Sequence, residues 1–108
     1  MPLKLTGTNN LKPYPIQCVS IVIPVYNEGR NIVPTLTALA RELRTPARVL
    51  ICYDREDDDT LPAIRAAAPC SLPIELVRNA GRGAHAAIMT GFAASRAPFV
   101  LMYPADDD

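Results

Sequence analysis

Short apolar runs alternate along this chain with longer segments in which apolar residues recur at helical spacing. Residues 19–23 form an almost continuous apolar run rich in β-branched side chains, and Pro24 stops it. Such a run predicts a strand that is buried on both faces. Over residues 32–43, isoleucine and leucine recur every three or four positions, which predicts a helix with Pro34 in its first turn.

The same alternation continues through the rest of the chain. Further strands are predicted at 49–53, 74–77 and 99–103, and further helices at about 61–68 and 84–95. This order predicts an α/β, Rossmann-like fold with a mainly parallel sheet, flanking helices and right-handed crossovers. The first 17 residues contain three prolines and little periodicity, so we expect an irregular leader at 1–17 and one domain at 18–108.

Composition narrows the class of protein. Eleven basic and eleven acidic residues give a formal net charge of zero, so no general attraction to nucleic acid is expected. Three cysteines without CxxC spacing suggest reduced thiols in a cytoplasmic protein, with Cys18 and Cys52 as small core residues. No apolar run approaches the roughly 18 residues of a membrane helix. This part of the protein is therefore not expected to span a membrane, and we expect a cytoplasmic location, peripheral to the inner face of a membrane in the full-length parent.

Polar residues follow each predicted strand. Asn27 and Glu28 come after the first strand, Asp54 after the second, residues 78–83 after the third and residues 106–108 after the fourth. The carboxyl ends of parallel strands lie at one edge of a sheet, and ligands of open α/β sheets bind there. The sequence therefore predicts a ligand site built from these four loops.

Each loop offers a chemical role and a plainer alternative. Glu28 could accept hydrogen bonds from a ribose or base, and the alternative is that Asn27 or Glu28 simply caps the next helix. Asp54 could accept the N–H of a base. The acidic run at residues 57–59 precedes a helix, and capping explains one or two of its members. The lone His85 is given no role.

The two remaining loops suggest a diphosphate and its cation. Gly81 and Gly83 precede a helix N-terminus, where backbone can approach an anion, and Arg82 could pair with a diphosphate. Adjacent carboxylates at residues 106–108 repel one another unless a cation neutralises them, and oxygen ligands suit Mg²⁺ or Mn²⁺. The alternative for these acids is a solvated acidic segment.

These motifs resemble those of the family 2 glycosyltransferases of the GT-A fold, including the dolichyl-phosphate mannosyltransferase-like members. Residues 19–28, VSIVIPVYNE, are similar to the family's opening strand and "IPxYNE" turn. The other similar segments are residues 51–60 to "VVDDGSxDGT", residues 78–91 to "RNxGxGxAxxxG" and residues 101–108 to the "DAD" metal segment.

The resemblance implies an inverting transferase that uses a nucleoside-diphosphate sugar and a divalent cation. The residues it implies for the nucleotide sugar are Pro24, Tyr26, Glu28, Asp54, Asp58, Gly81, Arg82, Gly83 and Asp106, with Asp106 and Asp108 holding the metal. The acceptor is expected to be lipid-linked or a polysaccharide. In this family the catalytic base and the acceptor-binding elements usually follow the metal segment, so we expect a truncated domain that is inactive alone.

The chain departs from the family pattern at two places. Arg55 and Glu56 replace a glycine-serine turn, and Pro104, which cannot coordinate, replaces the first aspartate of "DAD". A degenerate domain that binds a nucleotide or partner without catalysis is therefore the alternative function. A signalling receiver domain is disfavoured because both lysines precede the first strand. An open half-sheet would expose apolar surface, which predicts self-association.

Overall fold

The computed structural model of the protein describes residues 19–67 and 72–105. The predicted leader at 1–17 and the predicted metal ligands Asp106 and Asp108 lie outside these residues. Within the described ranges, strands and helices alternate as the hydrophobic pattern predicts. Their order is β1 (Val19–Pro24), α1 (Gly29–Glu42), β2 (Ala47–Tyr53), α2 (Thr60–Ala67), β3 (Ile74–Arg78), α3 (Gly83–Ala94) and β4 (Phe99–Met102).

The described strands form one parallel sheet in the order β3-β2-β1-β4. β1 lies between β2 and β4, with Val19 opposite both Ala47 and Phe99. This arrangement confirms the predicted parallel α/β fold. Pro24 belongs to β1, one residue beyond the predicted end, because the next ladder bond is donated by Val25 N–H to the Cys52 carbonyl at 2.9 Å and needs no proline N–H.

The two central strands, β1 and β2, bury side chains on both faces, as their apolar runs predict. One face, including Ile21, Ile23 and Val49, packs in a cluster with residues of α1 and α2. The opposite face, including Val22 and Leu50, packs with Ala87 of α3. Alternate residues of each strand point to opposite faces, so both helical layers draw on the same short strands.

Cys52 lies in the α3-facing layer as a buried free thiol, as expected for a small core residue. Burial and, secondarily, the charge of Glu75 raise the pKa of this thiol to about 11. The thiol therefore stays neutral at physiological pH and acts as an apolar packing group.

Helix α3 lies unusually close to the sheet at Gly91. A Cβ on Gly91 would lie 2.8 Å from Val22 Cγ2 and 2.9 Å from Cys52 Sγ, both closer than ordinary van der Waals contact. Glycine is therefore required by space at this position. The close contact fixes α3 against β1 and β2, and so fixes where its N-terminus lies relative to the strand ends.

The edge strand β4 leaves large apolar side chains uncovered. Phe99 is 66% exposed and Leu101 57% exposed, and Met102 beside them is also exposed. The predicted apolar surface of an open sheet is therefore present. None of the described helices is long and apolar enough to cross a membrane.

Candidate functional site

A cleft of about 350 Å³ opens at the carboxyl edge of the sheet. Its lining comes from the loops after β1 and β2 and from the start of α3, as the strand-end argument predicts. The lining residues are Pro24, Val25, Tyr26, Glu28, Asp54, Gly83, Ala84 and Ala87. The structure thus brings together five of the predicted nucleotide-sugar residues: Pro24, Tyr26, Glu28, Asp54 and Gly83.

Asp54 forms the acidic centre of this cleft. Its Oδ1 accepts a hydrogen bond from Asn79 Nδ2 at 2.6 Å, and its Oδ2 accepts one from Gly83 N–H at 3.1 Å. The bond from Asn79, followed by that from Gly83 and by the charges of Arg78 and Arg82, holds the pKa of the Asp54 carboxyl below its ordinary value. Asp54 is therefore a fixed anion at neutral pH, with its remaining lone pairs available to a ligand.

The glycine loop before α3 is tied to the same network. Gly83 has φ +86°, a left-handed conformation that a side chain disfavours, and its N–H points to Asp54. Gly81 N–H donates to Asn79 Oδ1 at 3.0 Å. Two loop N–H groups predicted to face a diphosphate therefore have partners within the protein. Arg82 lies between them and is exposed.

The loop after β1 presents one aromatic and one acidic side chain. Tyr26 is 70% exposed at the cleft mouth. Glu28 occupies the N-cap position of α1, but its side chain makes no cap bond and instead accepts a hydrogen bond from Asn31 Nδ2 at 2.9 Å. The capping alternative is therefore wrong for the Glu28 side chain, which faces the cleft.

Two of the acids at 57–59 hold the β1–α1 loop in place. Asp58 is 3% exposed, and its two oxygens accept backbone N–H bonds from Asn27 at 3.0 Å and Thr60 at 2.8 Å. Asp59 Oδ1 accepts the Gly29 N–H, and Asp59 N–H donates to Asn27 Oδ1. We call these contacts, with the bond from Glu28 N–H to Thr60 Oγ1 at 2.8 Å, the loop clasp.

The loop clasp explains why an otherwise strained turn persists. Asn27 has φ +52°, which costs a non-glycine residue free energy but is tolerated best by asparagine. Capping accounts for one bond of Asp58, to Thr60 N–H, while the bond across to Asn27 was not predicted. Asp58 lines a second, smaller hollow of about 230 Å³ beside Tyr26 and does not line the main cleft. Its contact with a nucleotide sugar stays a prediction.

The two residues that depart from the family turn form ion pairs at the surface. Arg55 donates to both carboxylate oxygens of Asp57, at 2.9 and 3.0 Å. Glu56 pairs with Arg78 at 2.8 Å, which links the β2–α2 loop to the end of β3. Both pairs are solvent-exposed, so their contribution to stability is small. Their positions place charged groups along one side of the site.

Asn79 is a residue of the site that sequence reasoning missed. It is 6% exposed and directly follows β3. Besides its bonds to Asp54 and Gly81, it donates to the Gly83 carbonyl at 3.3 Å and accepts from Thr90 Oγ1 at 2.9 Å. A polar residue directly after a predicted strand was the available signal, although its buried partners are set only by the fold.

The structure describes the predicted metal segment, residues 101–108, only as far as Ala105. Ala105 is buried and its carbonyl accepts a 2.6 Å hydrogen bond from Thr35 Oγ1 of α1, while the side chain of Pro104 offers no ligand atom. Among residues 19–67 and 72–105, no group of three or more histidine, cysteine or acidic side chains could hold a metal ion. The described residues alone therefore do not make a cation site, and metal binding by Asp106 and Asp108 stays a prediction.

A parallel sheet with an acidic, glycine-edged cleft at its carboxyl edge defines a Rossmann-like ligand-binding domain. Residues 20–108 match the family described as Glycosyl transferase family 2. The chain belongs to this family, as its motifs predicted.

Curated relatives carry a more specific description. The chain is 39% identical over 101 residues to the undecaprenyl-phosphate 4-deoxy-4-formamido-L-arabinose transferase of Pseudomonas fluorescens strain Pf-5. It is 37% identical over 101 residues to the protein of the same description from Pseudomonas aeruginosa. These matches cover 89% of this chain but 30% of each relative. The chain thus spans about a third of the length of the curated relatives it matches.

Solved structures agree on the fold. A mannosyltransferase from Pyrobaculum calidifontis, in complex with GDP-Man and Mn²⁺, superposes with a TM-score of 0.69 at 26% identity, over 82% of this chain and 27% of that one. Staphylococcus aureus TarS superposes with a TM-score of 0.59 at 22% identity, over 82% of this chain and 27% of that one. The fold is therefore that of GT-A glycosyltransferases.

Proposed function

We propose that this chain is the nucleotide-sugar-binding part of an inverting glycosyltransferase. The observation that supports the proposal is the convergence of Tyr26, Glu28, Asp54 and Gly83 on one cleft at the carboxyl edge of the sheet. These groups come from three loops that are up to 57 residues apart in sequence, and their chemistry suits one elongated ligand with a base, a ribose and a diphosphate.

Each of these groups suits a different part of that ligand. Tyr26, exposed at the mouth, offers a flat apolar face on which a base can stack. Glu28 and Asp54 are acceptors, so they suit ribose hydroxyls and bases with an N–H edge. Arg82 lies beside the start of α3, where a planar guanidinium can pair with a diphosphate.

Inversion at the anomeric carbon requires the acceptor to attack from the side opposite the leaving group. The acceptor hydroxyl or phosphate oxygen attacks C1 from the face opposite the nucleotide, and the bond from C1 to the diphosphate oxygen breaks with its electron pair. A carboxylate base takes the proton of a hydroxyl acceptor. A divalent cation held by Asp106 and Asp108 would supply charge stabilisation to the departing diphosphate.

We also propose an acceptor attached to a lipid. The Pseudomonas relatives are described as undecaprenyl-phosphate transferases, and the neighbouring mannosyltransferase structure contains GDP-Man and Mn²⁺. A lipid phosphate acceptor is consistent with a cytoplasmic parent protein that works at the inner face of a membrane.

Calorimetric titration of the chain with UDP-, GDP- and dTDP-sugars, with and without Mn²⁺, tests the proposal. We expect one nucleotide class to bind more tightly with Mn²⁺, and Glu28→Gln to weaken that binding at least tenfold. Glu42→Gln, at the exposed end of α1, is the matched control and should bind as the wild type does. Failure of every nucleotide sugar to bind would refute the proposal.

A degenerate binding domain is the second candidate, and Pro104 in the metal segment favours it. Such a domain would bind a nucleotide with no dependence on Mn²⁺ or on the attached sugar. The same titrations decide between the two functions, because equal affinity for UDP and a UDP-sugar at every Mn²⁺ concentration would support the second.

A further inference from the structure

We propose that Asn79 is a positioning residue that sets the direction of the Asp54 carboxylate and the shape of the glycine loop for diphosphate binding. This inference rests on the proposed function. It concerns a residue that neither borders the cleft nor reaches a ligand in it, and so would act only through its neighbours.

The side chain of Asn79 uses its full hydrogen-bonding capacity on this site. Its amide nitrogen donates to Asp54 Oδ1 at 2.6 Å and to the Gly83 carbonyl at 3.3 Å. Its amide oxygen accepts from Gly81 N–H at 3.0 Å and from Thr90 Oγ1 at 2.9 Å. Only an amide can donate to a carboxylate and a carbonyl while accepting from an N–H and a hydroxyl.

Burial makes the loss of any one of these hydrogen bonds costly. At 6% exposure, Asn79 has little water to replace a lost partner, so its four bonds are maintained together. Its own backbone N–H donates to the Tyr53 carbonyl at 2.7 Å, which anchors it to the end of β2. The side chain thus connects β2, the glycine loop and α3 at the back of the cleft.

The orientation of the Asp54 carboxylate affects the charge that a ligand meets as well as the shape of the cleft. Asp54 faces Arg78 and Arg82 from the β3 side, shares the cleft with Glu28 and Tyr26, and lies beside Arg55 in the chain. A carboxylate that rotated toward Arg82 would neutralise the guanidinium proposed to meet the diphosphate. The bond from Asn79 holds Asp54 in one orientation and leaves Arg82 exposed.

The isosteric change Asn79→Asp tests this role. It keeps the acceptor for Gly81 and Thr90 but places a carboxylate against Asp54 at hydrogen-bond distance. Two carboxylates this close share a proton, so one pKa of the pair is raised. Below that pKa the shared proton restores a hydrogen bond between the two side chains, and above it their repulsion turns Asp54 away.

The measurement is the affinity for UDP, GDP and dTDP by calorimetry from about pH 5 to about pH 8, given as the ratio of variant to wild type at each pH. We expect Asn79→Asp to bind at least tenfold more weakly at the upper end and to approach the wild type at the lower end. Thr90→Val should weaken binding less and without this pH dependence. Ser20→Ala, which removes a 2.7 Å bond to Ser95 far from the cleft, is the control.

The outcomes separate the two proposals. If the wild type binds but the ratio for Asn79→Asp is constant with pH, Asn79 has only a structural role and the inference is wrong. If Asn79→Asp binds as the wild type does throughout, the inference is equally wrong. If the wild type binds none of UDP, GDP and dTDP, nor their sugars, the proposed function itself fails, and the positioning role fails with it.

Discussion

Two aspartates four positions apart in the sequence have opposite surroundings in the folded chain. Asp54 borders the cleft, while Asp58 is buried and gives both oxygens to backbone N–H groups. Both follow β2 in the same acidic loop, and the sequence distinguishes them only by position, with Asp54 directly after the strand and Asp58 shortly before a helix. The fold buries Asp58 against the β1–α1 loop, whose Asn27 N–H donates to Asp58 Oδ2.

Replacement of Asp58 should therefore lower the stability of the fold more than replacement of its neighbour Asp57 does. Asp58→Asn turns an amide N–H toward one of two backbone N–H groups and leaves a buried donor without a partner. We expect a loss of about 1–3 kcal/mol in the free energy of unfolding, measured by urea denaturation. Asp57→Asn, which affects only an exposed pair with Arg55, should leave stability nearly unchanged. Equal effects of the two substitutions would contradict the loop clasp.

The lowered pKa of Asp54 predicts that the stability of the fold depends on pH in the acid range. Its pKa lies below the ordinary value of 3.8 in the folded protein, chiefly because of the bond from Asn79. A depressed carboxyl pKa gives a stabilisation that is present above 3.8 and is lost as the pH falls through the folded value. Unfolding followed from about pH 5 to about pH 3 should show a steeper loss of stability for the wild type than for Asp54→Asn. Parallel curves would contradict the assignment.

At the scale of elements, the hydrophobic pattern was sufficient to predict the positions of the strands and helices. β1 and β2 are short apolar runs because both of their faces are covered, whereas the edge strand β4 is an apolar run with exposed side chains. Each helix shows apolar residues on the side that meets the sheet. The predicted boundaries differ from the observed ones by a residue or two at most strand ends. The helix starts differ more where the pattern of apolar residues begins late, as in α1, which begins at Gly29.

The packing of α3 provides the sharpest prediction about an element. Gly91→Ala improves intrinsic helix propensity by about 1 kcal/mol but forces a methyl group against Val22 and Cys52. Overpacking of this kind costs about 1–3 kcal/mol, so we expect a net loss of stability by thermal and urea denaturation. Ala93→Leu, at an exposed position of the same helix, adds more bulk and should change stability little. A stabilised Gly91→Ala protein would show that α3 can move away from the sheet.

For the molecule as a whole, the exposed face of β4 predicts self-association, which we propose on the basis of Phe99 and Leu101. An edge strand with large apolar side chains is a surface on which another strand or copy can pack. Light scattering should show a concentration-dependent increase in mass for the wild type and less of it for Phe99→Lys. Glu42→Gln, at an exposed position of α1, also raises the net charge by one and controls for the effect of net charge. A monomer at all concentrations would contradict this proposal.

The amino-acid sequence by itself determined the parallel α/β fold, the family and most of the cleft. Apolar runs and helical spacing can be read from neighbouring residues, because they reflect which side chains each strand or helix buries. The turns "IPVYNE" and "RNAGRG" place Glu28 and Gly83 at strand ends, whatever the order of the strands in the sheet. Only the tertiary structure decided that Asp58 holds a loop, that Asn79 holds Asp54 and that Gly91 lies against Val22. These contacts join residues from 25 to 69 positions apart, and their energies depend on distances that no local pattern contains.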